Sequence, residues 1–112
     1  MQPRNASLMS GVPELVVLRL LSERDMYGYE IAQSLRITGG EALRLGEGVL
    51  YPALHSLEAR GLLRSRKARA DGRTRIYYAL TRKGRVRLAR ITEEWRRLAG
   101  GVEAILGRAA HG

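Results

Sequence analysis

Asp71-Gly72 stands between two stretches of sequence that suit β-strands. Residues 62–68 can form the first strand, and residues 73–80 return as a run rich in β-branched and aromatic side chains. An Asp-Gly pair between two such runs is a strong signal for a hairpin. The sequence therefore predicts one β-hairpin, and the fold class depends on the elements that flank it.

Three helical patterns precede the hairpin. The first covers about residues 11–22 and is dense in apolar side chains, and a short second helix over residues 27–35 has Ile31 and Leu35 on its buried face. The third, over residues 46–60, places leucines at helical spacing, namely Leu50, Leu54 and Leu57. Three short helices before a hairpin indicate a mainly helical domain.

Glycine and proline set the boundaries of these helices. Gly39-Gly40 ends the second helix, residues 42–45 are expected to be extended, and Gly61 ends the third helix as a left-handed cap. Pro52 lies inside the third helix and removes one backbone hydrogen bond, which is tolerable if the first turn is short or irregular.

After the hairpin, Thr81 is placed to cap a long last helix over about residues 82–107. This order of elements is that of a winged helix-turn-helix, in which the second and third helices form the helix-turn-helix. We therefore predict a mainly α fold with a small β-hairpin wing. A winged helix-turn-helix DNA-binding domain covers residues 8–81, a C-terminal dimerisation helix covers residues 82–107, and residues 1–7 form a frayed terminus.

Composition excludes several classes of protein. The 112 residues contain no cysteine, which excludes disulfides and cysteine-based metal sites and suits the reduced cytoplasm. No apolar run approaches the roughly 20 residues that span a bilayer, and residues 1–10 lack the apolar core of a signal peptide. We therefore expect one cytoplasmic domain that does not enter a membrane.

Catalytic motifs are missing as well. The two histidines, His55 and His111, are far apart in sequence, and no glycine-rich phosphate loop joins a strand to a helix. No pair of carboxylates is set for acid–base chemistry. We predict neither an enzyme nor a metal or cofactor site.

Positive charge is concentrated in the second half of the chain. Residues 1–56 carry five arginines and six acidic residues, whereas residues 57–112 carry fifteen basic and five acidic residues. A one-sided basic surface suits a polyanion, which it binds through phosphate contacts and counterion release. A genome rich in G and C also favours arginine, but it does not explain why the bases cluster in one half.

Three motifs resemble the PadR family of bacterial transcription regulators. They are Met26–Ile31 (MYGYEI), Gly48–Leu62 (GVLYPALHSLEARGL) and Gly72–Gly84 (GRTRIYYALTRKG), and the resemblance covers about residues 8–106. With one C-terminal helix, the chain resembles the short members of that family. It departs from the family at Val49, where threonine is common, and at Gly100-Gly101 in the last helix.

The resemblance implies a cytoplasmic homodimer that binds double-stranded DNA at a pseudo-palindromic operator. It also implies that the protein represses nearby genes and that a small molecule releases it. In some short members, an aromatic residue at the position of Trp95 lines a cavity at the dimer interface that accepts flat apolar compounds.

Candidate DNA contacts lie on the third helix and on the wing. A recognition helix enters the major groove through its N-terminal part, where Gly48 permits a close approach and Tyr51 can donate its hydroxyl to a phosphate. The predicted contacts are Gly48, Tyr51, Pro52 and His55 on the helix, with Lys67, Arg69, Arg73 and Arg75 on the wing. The alternatives are that Tyr51 is structural, that His55 is a solvated surface residue and that the wing is a solvated charged ribbon.

The last helix carries an apolar seam with the heptad spacing of helix-to-helix packing. Its members, predicted to form the dimer interface, are Leu88, Ile91, Trp95, Leu98, Val102 and Ile105. The opposite face is assigned Arg87, Arg90, Glu94, Arg97 and Glu103. Trp95 is a candidate contact for a small aromatic effector, and the alternative is that it is an ordinary interface anchor.

A basic RNA-binding or ribosome-associated protein is the second hypothesis for function. Readers of single-stranded RNA need exposed aromatic side chains on which bases stack. The aromatic residues of this chain instead fall at third-helix and core positions, which favours the DNA-binding hypothesis.

Overall fold

Four α-helices and three β-strands occupy residues 11–108, the part of the chain that the computed structural model describes. They are α1 (Val12–Leu21), β1 (Met26–Tyr27), α2 (Gly28–Gly39), a 3-10 turn (Gly40–Leu43), α3 (Glu47–Ala59), β2 (Leu63–Ala70), β3 (Arg73–Leu80) and α4 (Arg82–Leu106). The predictions for residues 1–7, for a domain start at residue 8 and for His111 concern residues outside this range. Within it, the predicted order of helices and hairpin is confirmed.

One part of the prediction is wrong. Residues 42–45 were expected to be extended, but Ala42 and Leu43 belong to a 3-10 turn over Gly40–Leu43, in which the half-buried Leu43 packs against the core. The second helix runs past Leu35 to Gly39 and ends at the Gly39-Gly40 pair, as predicted, and Gly40 redirects the chain with a φ angle of +69°.

A third strand was not predicted. β1 pairs antiparallel with β3 through Met26–Tyr78 and Tyr27–Tyr77, which gives a three-stranded sheet in the order β1-β3-β2. This short strand attaches the beginning of α2 to the root of the wing.

The hairpin turn agrees with its sequence signal. Ala70 pairs with Arg73, so Asp71 and Gly72 alone make the turn, with φ angles of 53° and 75°. Two consecutive positive φ angles define a type I′ turn, the geometry that matches the twist of the flanking strands. The turn fixes the register of the wing, and with it the face on which each wing side chain lies.

The core is mainly aliphatic, as expected of a chain without phenylalanine, with Tyr78 as its one buried aromatic residue among residues 11–108. Leu50, Leu54 and Leu57 of α3 are all buried, which confirms the predicted inner face of this helix. They share one cluster with residues of α1 and α2 and with the start of the hairpin, including Val17, Leu18, Ile31, Leu62 and Leu63. The burial of one face of α3 fixes which of its side chains remain exposed.

The residue that ends α3, Gly61, and the residue that caps α4, Thr81, are hydrogen-bonded to each other. Gly61 has a φ angle of +76°, which confirms the left-handed end predicted for α3. The Thr81 hydroxyl accepts a hydrogen bond from the Gly84 N–H at 3.0 Å, as expected of a helix cap, and donates toward the Gly61 carbonyl at 2.7 Å. The start of α4 is therefore anchored to the end of α3.

The last half of α4 extends beyond the core. Ile91 is buried and Leu88 packs beside it, but Leu98, Val102 and Ile105 are exposed. The radius of gyration is 16.3 Å, against roughly 13 Å for a compact domain of about 100 residues. None of the helices in residues 11–108 has the length and apolarity needed to cross a membrane.

Candidate nucleic-acid interface

The outer face of α3 presents the four side chains or backbone positions singled out from the sequence. Gly48, Tyr51, Pro52 and His55 are all exposed. A Cβ atom at Gly48 would meet nothing within 4 Å, so the backbone there is open to a close approach from outside. Pro52 lies inside α3, where it has no N–H to donate to the carbonyl of Gly48.

The side chain of Tyr51 packs against the beginning of α2. Its ring lies against the α-carbon of Gly28, where an added Cβ atom would be only 2.5 Å from the tyrosine oxygen and 2.9 Å from Cζ. Burial raises the pKa of the Tyr78 hydroxyl, and the nearby Glu58 and Tyr51 raise it further. Tyr51 therefore contacts the first residue of α2 and lies close to β3.

The two faces of the wing carry different sets of bases. In the β2–β3 register, Ala68 is opposite Arg75 and Ala70 is opposite Arg73, so these two arginines share a face, as the alternation predicts. Lys67 is opposite Ile76 and Arg69 is opposite Thr74, which places Lys67 and Arg69 on the other face. The structure thus divides the four predicted wing contacts into two pairs.

Aromatic rings lie beside two arginines, Arg66 and Arg75, on the face of the wing that carries Arg75. The Arg75 guanidinium lies 4.4 Å from the centre of the Tyr27 ring, and that of Arg66 lies 5.0 Å from the Tyr77 ring. Tyr27 and Tyr77 meet edge to face, with their centres 5.5 Å apart. Arg66 also pairs with Asp25 at 3.4 Å, so its charge is partly compensated within the protein.

Tyr27 and Gly28 were not among the predicted functional residues. They belong to the Met26–Ile31 motif, but their contacts with Arg75 and Tyr51 depend on the pairing of β1 with β3. A two-residue strand leaves no period in the sequence, so only the motif itself marked this segment.

A carboxylate links three helices behind this interface. Glu14 of α1 accepts a hydrogen bond from Arg87 of α4 at 2.8 Å and one from Arg60, at the end of α3, at 3.0 Å. Lys83 donates to the carbonyl of Arg60 at 2.9 Å. Arg87 was expected on the outer face of α4, but it is half-buried against α1.

Glu14 gives the protein a pH-dependent contribution to stability. Burial alone raises the pKa of the Glu14 carboxyl, but the hydrogen bonds and charges of Arg87 and Arg60 outweigh burial and lower it. A group with a lowered pKa stabilises the fold above its unfolded value, which is about 4.3 for glutamate. Its contribution is lost as the pH falls through the folded value.

We expect Glu14→Gln to lower the free energy of unfolding by about 1 kcal/mol at pH 7, since its partly exposed ion pairs are weakened by solvent. The difference from the unchanged protein should shrink below about pH 4. Urea unfolding at pH 7 and pH 3 measures both values. Glu23→Gln, which removes a surface pair with Arg19 at 3.9 Å, is the control and should change little. An undiminished difference at pH 3 would contradict the assignment.

The described part of the chain offers no set of side chains that could bind a metal ion. Residues 11–108 contain no group of three or more His, Asp or Glu side chains that could hold an ion. The features that the interface does offer are an exposed helix face, a basic wing and aromatic rings beside two of the wing arginines. These suit a polyanion with grooves.

Comparison with known proteins finds relatives over most of the chain. The model of the transcriptional regulator PadR-like family matches residues 17–90. The transcriptional regulator Rv3488 of Mycobacterium tuberculosis is 37% identical over 97 residues, which are 87% of this chain and 85% of that protein.

Solved structures share the fold over almost their whole length. A PadR family transcription regulator from Clostridium difficile R20291 is 33% identical, with a TM-score of 0.77, covering 87% of this chain and 100% of that one. A transcriptional regulator from Clostridium thermocellum is 31% identical, with a TM-score of 0.80, covering 91% and 99%.

Proposed function

Because this chain belongs to the PadR-like family of transcriptional regulators, we propose that it is a dimeric repressor, that it binds a pseudo-palindromic DNA operator and that a small molecule releases it. Membership makes it a regulator of transcription and not an enzyme. Regulators of this family bind DNA and are generally dimeric. One observation carries the proposal: Tyr51 of α3 and Arg75 of the wing pack on adjacent residues, Gly28 and Tyr27, so the helix and the wing meet at one segment of this surface.

On this surface, α3 enters the major groove and the wing follows the neighbouring backbone. Gly48 and Pro52 allow the helix to approach closely, Tyr51 donates its hydroxyl to a phosphate, and His55 reaches a base edge or a phosphate. The hairpin tip presents Arg73 and Arg75 on one face and Lys67 and Arg69 on the other. If the tip of the hairpin enters the minor groove, the bases on its two faces can contact the phosphates on both sides of that groove.

Dimerisation uses the free end of α4. Leu88 and Ile91 already contact the core of their own chain, so the predicted seam contributes to a second copy mainly through Trp95, Leu98, Val102 and Ile105. Leu98 is 60% exposed and Ile105 is 64% exposed, and a contiguous apolar stripe of this kind marks an interaction site. One copy reads a half-site, and the second copy supplies the other half.

Release by a small molecule is assigned to the surroundings of Trp95. This side chain lines a groove of about 690 Å³ together with Leu35 and Met26, and a smaller cavity of about 280 Å³ together with Ile91 and Glu14. Both volumes border α1, which contacts α4 and α3. A flat aromatic compound that binds here contacts α4. Because α4 joins the two copies of the dimer, its position sets the distance between their two recognition helices.

The test is binding of the full chain to duplex DNA from upstream of its own gene. Fluorescence anisotropy is expected to show a preference of at least about 10³-fold over a scrambled duplex, and affinity that falls steeply with salt. Arg73→Ala and Arg75→Ala should each lower the slope of log Kd against log salt by about 0.9 per lost phosphate contact.

Arg90→Ala is the matched control, because Arg90 lies on α4 and pairs with Glu94 at 3.4 Å. It removes the same charge and should leave the salt slope unchanged. Equal affinity for upstream and scrambled duplexes would overturn the proposal. Tighter binding to single-stranded RNA than to duplex DNA would favour an RNA-binding function instead.

A further inference from the structure

Two neighbouring residues support side chains from different elements of the interface. The ring of Tyr27 lies beneath the Arg75 guanidinium, 4.4 Å from its central carbon. The α-carbon of Gly28 lies beneath the ring of Tyr51. Arg75 belongs to β3 and Tyr51 to α3, so the Tyr27–Gly28 segment is a contact that the wing and the recognition helix share.

We propose that Tyr27 and Gly28 are positioning residues, which hold Arg75 and Tyr51 in the arrangement that contacts DNA. This rests on the proposed function and adds to it two residues that need not touch DNA themselves. The segment sets the separation between wing and helix before the duplex arrives, so that less side-chain freedom is lost on binding.

The Tyr27 contact leaves Arg75 able to bind phosphate. A guanidinium stacked on a ring is held through its flat face, and its N–H groups, which lie in the plane, stay available to an acceptor. Arg66 shows the contrast, because it lies near a ring and also donates to Asp25. Among the ion pairs of residues 11–108, none includes Arg75.

Because Gly28 has no side chain, the end of the Tyr51 side chain can lie against its α-carbon. An alanine methyl at this position would come within 2.5 Å of the Tyr51 oxygen, so one of the two must move. The backbone of α2 is held by a hydrogen bond from the Tyr27 N–H to Glu30 at 3.2 Å and by the buried Ile31. The end of the Tyr51 side chain is the part that can shift, so Gly28→Ala should displace the hydroxyl while the fold persists.

The first experiment separates the ring of Tyr27 from its hydroxyl. In anisotropy titrations with the upstream duplex, Tyr27→Leu should weaken binding about five- to tenfold, through loss of the cation–π contact. Tyr27→Phe should bind nearly as well as the unchanged protein. In an Arg75→Ala background, Tyr27→Leu should cause little further loss, and its salt slope should match that of Arg75→Ala.

The second experiment is the matching cycle at Gly28. Gly28→Ala should weaken binding several-fold in the unchanged protein and have little effect once Tyr51 is replaced by Phe. Melting temperatures check that every variant is folded. Additive losses in both cycles, or a loss with Tyr27→Phe equal to that with Tyr27→Leu, would overturn the positioning role.

The same titrations distinguish this proposal from the one on which it rests. If the unchanged protein does not prefer the upstream duplex, the proposed function is overturned and the positioning role with it. If the unchanged protein binds selectively but the cycles are additive, only the positioning role is overturned.

Discussion

A protein that carries Leu98→Asp is expected to be monomeric and to bind the upstream duplex at least about 100-fold more weakly than the unchanged chain. Burial of a leucine side chain stabilises an interface by about 1.5–3 kcal/mol, and a symmetric dimer loses this contact twice. The introduced carboxylate must also be desolvated in each copy. Without dimerisation, each chain contacts one half-site, and the affinity that comes from joining two half-sites is lost.

Ala104→Asp is the matched control for this variant. Ala104 is exposed on α4, and the 3.6-residue repeat places it on the side of the helix away from Leu98 and Val102. It makes the same change in charge and should leave a dimer that binds DNA normally. Size-exclusion chromatography coupled to light scattering gives the molecular mass of each variant, and fluorescence anisotropy gives its affinity for the duplex. A Leu98→Asp protein that remains dimeric would show that the interface lies elsewhere.

Local chemistry explains which parts of the fold the sequence predicted. The hairpin follows from Asp71-Gly72, because a type I′ turn needs two residues that tolerate positive φ. The inner face of α3 follows from leucines at helical spacing. Neither depends on distant parts of the chain, and both predictions are confirmed.

The parts that depend on distant contacts were missed. β1 forms because Met26 and Tyr27 meet residues about fifty positions later in β3, and two residues carry no period of their own. The 3-10 turn at Gly40–Leu43 forms where Leu43 packs against the core, although residues 42–45 were expected to be extended. In both cases, tertiary packing decided the local conformation.

The same distinction applies to the candidate interface. Periodicity gave the outer face of α3 and placed Arg73 and Arg75 on one side of the wing. It did not predict that Arg75 lies on Tyr27, because that contact requires the register between β1 and β3. In α4, heptad spacing predicted an apolar seam but could not tell that Ile91 contacts its own core. Arg87, assigned to the opposite face, instead pairs with Glu14.

Dimerisation and effector binding are both assigned to the free end of α4. Trp95 belongs to the proposed dimer seam and also lines two cavities. Trp95 is 46% exposed in the single chain. A second copy that packs on Leu98 and Val102 would enclose it further, and an enclosed ring stacks more strongly on a flat compound because water is excluded. Ligand binding and dimer geometry are therefore expected to be linked through this side chain.

Flat aromatic compounds are expected to release the protein from DNA, and Trp95→Ala is expected to raise the concentration needed at least about tenfold, since the stacking surface is lost. Anthracene-2-carboxylate, a flat anion that the DNA phosphates repel, is added to the protein bound to labelled upstream duplex, and anisotropy reports release. In the unchanged chain, quenching of its only tryptophan reports binding directly.

Leu106→Ala is the control for loss of apolar surface at the end of α4. Leu106 is 72% exposed and does not line either cavity beside Trp95, so this variant should respond to the compound as the unchanged chain does. Trp95→Phe, which keeps a smaller ring, should respond at an intermediate concentration. If Trp95→Ala stays dimeric and leaves DNA at the same compound concentration as the unchanged protein, Trp95 is an interface anchor and the effector site must be sought elsewhere.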